Sequence, residues 1–71
     1  MALNSAERAA VREMEQARLI ALRAERERRR AIVHASFERG LSVMDAAAAS
    51  GMDRTAVLKI YKKLRAERGA A

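Results

Sequence analysis

Seventy-one residues without cysteine or proline, 51% hydrophobic and 34% charged, predict one small soluble domain and exclude a disulfide scaffold. The longest wholly apolar stretches, Leu19-Ile20-Ala21-Leu22 and Ala46-Ala47-Ala48-Ala49, are too short for a membrane span or a signal core, so the expected location is the cytoplasm. Fifteen Lys and Arg against nine Asp and Glu give a net charge of +6, which favours an anionic partner, and a nucleic acid before a membrane surface.

The first element is a helix from Ser5 to Glu38, capped by Asn4 three residues before Glu7 and stopped by Gly40. Its charged section, Arg23 to Arg30, has no breaker, and Glu25 with Arg28 and Arg29, and Glu27 with Arg30, have ion-pair spacing. One continuous helix of about 50 Å is therefore expected, at about 1.5 Å per residue. The charge run reads either as a solvated stretch or, through Arg28, Arg29 and Arg30, as an edge that touches phosphate.

Residues 1–30 read as an arm. Leu3, Val11, Met14 and Leu22 lie near one face, beside a small-residue seam of Ala10, Ala17, Ala21 and Ala24 that permits close helix approach. Leu3, Ala10, Val11, Met14, Ala17, Ala21 and Leu22 are the candidate dimerisation residues, and a homodimer is the expected assembly. The alternative is an arm folded back on its own core. Ile20 lies off the stripe, as a candidate second contact surface.

Residues 31–68 read as a second unit. A short helix, Val43 to Ser50, starts at Ser42 three residues before Asp45 and stops at Gly51. A last helix, Arg54 to Arg68, follows Asp53 and stops at Gly69, leaving 69–71 as a frayed end. Ala46 and Ala47 let the short helix sit close to the last one; Met52, Val57, Ile60, Tyr61 and Leu64 supply a buried stripe, and Ile32, Val33 and Phe37 cover the remaining side. The expected fold is thus all-α, with a long N-terminal helix leading into a compact three-helix domain.

Residues 42–64 resemble the helix-turn-helix superfamily of DNA-binding domains, through Ala47 in the first helix, the turn glycine Gly51, the apolar Met52 after it, and the anchors Val57 and Ile60. Closest in flavour are the DNA-binding ends of the factor for inversion stimulation and of the resolvase and invertase recombinases, where a segment like Gly51-Met52-Asp53-Arg54 opens the recognition helix. The resemblance implies double-stranded DNA as partner and a recognition helix, 54–68, in the major groove. It implies base contacts from Arg54, Thr55 and Lys59, with Lys62, Lys63 and Arg65 near phosphate. Leu58 is expected at the exposed edge, as a marginal core contact or an apolar touch on a thymine methyl. The function so implied is a transcriptional or recombination accessory regulator. Two rivals remain: a protein-interaction adaptor, for example one that binds RNA polymerase, and an RNA-binding helical protein using Arg23 to Arg30.

Catalytic chemistry finds no support. His34 is the lone histidine, and Ser36, two residues on, points elsewhere on a helix. No metal site, cofactor or small-molecule substrate is expected, because cysteine is absent and the three glycines are scattered as helix stops. Tyr61 reads as a core residue with its hydroxyl at the rim.

Overall fold

The computed structural model describes residues 2–70 and contains three helices: α1, Ser5–Glu38; α2, Val43–Ser50; and α3, Arg54–Ala70. The Asn4 side chain accepts a hydrogen bond from the Glu7 N–H at 2.8 Å, and Ser42 Oγ accepts one from the Asp45 N–H at 3.1 Å. Both starts are those expected from the cap spacing. Gly40 and Gly51 stop the first two helices with φ of 73° and 70°, a left-handed conformation that costs other residues roughly 1–2 kcal/mol. After α1 the Gly40 N–H donates to the Phe37 carbonyl and the Leu41 N–H to the Ser36 carbonyl, each at 3.0 Å, which closes the helix end with paired backbone bonds. After α2 the Gly51 N–H donates to the Ala47 carbonyl at 2.9 Å.

Gly69 departs from expectation. It lies inside α3, which runs on to Ala70, and it is not among the glycines with positive φ. Glycine lowers helix stability by only about 1 kcal/mol, which is insufficient to end a helix anchored just before it. That anchor is Arg68: its Nη2 donates to both Glu38 carboxylate oxygens, at 2.7 and 2.8 Å, and its guanidinium lies 4.9 Å from the Phe37 ring centroid.

The molecule is elongated rather than compact, which corrects the expected shape. Its extents are 56 × 26 × 17 Å and its radius of gyration is 18.3 Å, whereas a compact domain of this length would have about 11 Å. The cause is α1, which continues unbroken through the charged section. Glu25 accepts from Arg28 Nη2 at 2.7 Å and from Arg29 Nε at 3.0 Å, and both pairs stiffen the helix where it leaves the other two. Among the described residues Glu27 and Arg30 form no ion pair. Every described residue up to Ala24 is exposed, so the arm does not fold back on the core.

All three helix pairs touch around a small core at the far end of α1. Val33, Ala46 and Val57 are fully buried and Tyr61 nearly so, with Phe37, Val43, Ala47, Met52 and Ile60 packed around them. Ala46 is fully buried at the centre, on the short helix that touches both neighbours. Two buried serines are satisfied locally: Ser36 donates to the Ile32 carbonyl at 2.8 Å, and Ser50 Oγ accepts the Met52 N–H at 3.2 Å. The rings of Phe37 and Tyr61 meet edge to face, 5.2 Å apart.

The Tyr61 hydroxyl donates to the Leu41 carbonyl at 2.9 Å, joining α3 to the loop after α1. Burial first, and the nearby Asp45 charge second, raise its pKa above the usual 10.0. A raised folded-state value means stability that is present below the unfolded pKa and lost as pH rises through the folded one. Urea midpoints should therefore fall above about pH 10. Tyr61→Phe should show a smaller alkaline loss, and at neutral pH should be less stable by about 0.5–1.5 kcal/mol, for one hydrogen bond. An alkaline loss identical in both chains would show that Tyr61 does not drive it.

Candidate nucleic-acid interface

Helix α3 carries Arg54, Lys59, Lys62, Lys63, Arg65 and Arg68 against a single acid, Glu67. Val57, Ile60, Tyr61 and Leu64 turn towards the core. At about 100° per residue, Thr55, Lys59 and Lys62 fall opposite that stripe, at the centre of the exposed face. Arg54, Leu58 and Arg65 line one flank of this face, and Lys63 lies on the other. All six of the polar and charged residues proposed for base or phosphate contact on α3 are exposed, and Leu58 is at the margin at 37%. Arg54 and Lys59 sit about 140° apart around the helix, so Thr55, between them, is the member of the expected base-reading trio that shares a surface with both.

The glycine turn sets how this face is presented. Gly51 takes the left-handed conformation that ends α2, Met52 packs against the core, and the Asp53 carbonyl accepts the Val57 N–H at 3.0 Å to open α3. The Asp53 carboxylate stands at the positive end of the α3 dipole, where negative charge is favoured. The first turn of α3 therefore begins next to solvent, with Arg54 and Thr55 foremost.

The three arginines of α1 separate into different roles. Arg28 pairs with Glu25, and Arg29 donates both to Glu25 and, from Nη1, to the Gly51 carbonyl at 3.2 Å. These hydrogen bonds, that of Arg28 foremost, hold the Glu25 carboxyl down to about 2 from its ordinary 4.5. Arg29 thereby ties the interhelical turn to α1. Arg30 instead lines a groove of about 230 Å³ between α1 and α3, together with His34, Lys59, Ile60, Lys63, Leu64 and Glu67. Three cations, one imidazole and one carboxylate line it. His34 is exposed, and its spacing of four from Arg30 puts the two on one face of α1.

On the arm, Val11, Met14 and Leu22 share one face, with Glu15 and Arg18 between them, while Ala10, Ala17 and Ala21 form the adjoining seam. Leu3 precedes the helix and is 44% exposed; Met14 and Leu22 are 71% and 50% exposed. Leu19 and Ile20, each more than half exposed, lie off this face. Among the described residues no helix is long and apolar enough to cross a membrane. No protein-family model, curated protein or solved structure matches the chain.

Proposed function

We propose that this chain is a small sequence-specific double-stranded DNA-binding protein of helix-turn-helix type, acting as a transcriptional or recombination accessory regulator in the cytoplasm or nucleoid. Helix α3 enters the major groove, and the arm joins two copies so that two recognition helices face the duplex. The observation that carries this reading is the charge of α3, where Arg54, Lys59, Lys62, Lys63 and Arg65 are exposed against the single acid Glu67, while Arg68 is held by Glu38 and Phe37. Thr55 and Lys59 read bases from the centre of the face and Arg54 from its leading flank. Lys62, Lys63, Arg65 and Arg30 meet phosphates.

The test is fluorescence anisotropy with labelled duplexes of random and of selected sequence. The protein should bind both. Arg54→Ala should change the sequence preference, and loss of a bidentate guanine contact costs about 1–3 kcal/mol. Lys63→Ala should weaken all duplexes alike and flatten the salt slope by about one unit. Equal losses on every sequence for both variants would refute the division of roles. Absence of duplex binding at low salt would refute the proposal and leave α3 as a surface for protein contact.

A further inference from the structure

Helix α1 presents one continuous face, of which only the C-terminal part, from Arg29 onward, is covered. Val11, Leu22 and Val33 recur every eleven residues, a spacing that keeps them within about 20° of one another per step on a straight helix. Val33 is fully buried under α2 and α3, while Val11 and Leu22 on the same face are 42% and 50% exposed. Between Leu22 and the turn residues Gly51 and Met52 lies an open notch of about 390 Å³. The core-forming face of α1 thus runs on, uncovered, for about five turns towards the N-terminus.

We propose that a second copy of this chain covers that face, its α1 running antiparallel about a two-fold axis that passes between Gln16 and Ala17. This deepens the reading of the arm as a dimerisation helix and rests on it. Three observations select the arrangement. Sterically, α2 and α3 occupy the shared face from Arg29 onward, so two arms laid parallel on that face would bring two cores into the same space. Reversed, the cores stand at opposite ends and the free segments, residues 5–29, overlap over nearly their full length. In register, the axis between Gln16 and Ala17 sets Val11 against Leu22 of the second copy, joining the apolar positions. In charge, the same register puts Glu15 level with Arg18 of the second copy, and Glu7 and Arg8 level with Arg26 and Glu25, so opposite charges meet at these three levels. The end of the second arm, with its exposed Leu3, then arrives at the notch beside Met52.

The chain contains no cysteine, so single cysteines report the pairing directly. Val11→Cys and Leu22→Cys chains, one carrying a mass tag, are oxidised alone and mixed, without DNA, after circular dichroism has shown both to be helical. Sedimentation of the unaltered chain runs alongside. The mixture should give a disulfide-linked heterodimer and neither variant alone a homodimer, because identical positions then lie about 16 Å apart along the axis. A homodimer of Leu22→Cys alone would overturn the antiparallel arrangement while leaving the arm as a dimerisation helix. A monomer by sedimentation, with no crosslink in any sample, would overturn both. Neither result depends on DNA binding, which stands or falls on the anisotropy measurement.

Discussion

Affinity for a random-sequence duplex is expected to fall by about three powers of ten between 50 and 200 mM salt. Each phosphate neutralised by a lysine or arginine releases a condensed counterion, and the slope of log affinity on log salt is about −0.9 per contact. Each chain offers Lys62, Lys63 and Arg65 on α3 and Arg30 in the adjoining groove. Arg28 and Arg29 are counted out, because Glu25 and the Gly51 carbonyl already hold them. Four contacts from a monomer give a loss of about 150-fold over this range; eight from a dimer give roughly twenty-thousandfold, and six engaged contacts give about two-thousandfold. The slope therefore measures how many chains engage the DNA as well as whether the basic face does. A loss of a few-fold only would show that α3 does not track the backbone. Competition by structured RNA at lower concentration than duplex DNA would transfer the interface to the arginine-rich section of α1.

The elements were legible in the sequence where one residue type carries the backbone decision. Asn4, Ser42, Gly40 and Gly51 each sit where a helix end requires a side-chain acceptor or a left-handed residue, and the first two helices begin and end around them. The core was legible for a related reason: Val33, Val57 and Tyr61 follow helical spacing, and Ala46 lies in a run of small residues between two such stripes. Gly69 misled because glycine ends a helix where it turns left-handed, as Gly40 and Gly51 do and Gly69 does not, and Arg68 just before it is held by Glu38 and Phe37, about thirty residues away. Such pairings leave no local trace. That Arg29 ties α1 to the turn while Arg30 lines the groove has the same origin, since the turn carbonyl that receives Arg29 belongs to a different segment. Helical phase places Lys59 and Lys63 on one side of α3; that Arg30 and His34 stand across from them depends on how α1 and α3 cross.

Ala46→Leu is expected to open the three-helix core while leaving the arm helical. The alanine is fully buried on a helix of eight residues that touches both α1 and α3. Leucine adds three carbons at a fully buried point, and overpacking of this kind costs about 1–3 kcal/mol. A unit of about 38 residues has a total stability of roughly 2–6 kcal/mol, so a substantial part of it is removed by one substitution. Helix α2 has no independent means of persisting, because isolated helices shorter than about 12–15 residues are marginal in water. Its release frees the Gly51 turn and the Tyr61 bond to Leu41 together. Tyr61 is the sole tyrosine and there is no tryptophan, so intrinsic fluorescence reports on this core alone, while far-ultraviolet circular dichroism also counts the long α1. In Ala46→Leu the fluorescence transition should move to much lower urea, with most of the helical signal retained in its absence, and duplex binding should fall with it. Ala48→Leu is the control: its site on the same helix is exposed, and its transition should match that of the unaltered chain. Equal transitions for all three chains would mean that α2 is not packed where Val33 and Val57 meet it, and would remove the support on which α3 is presented.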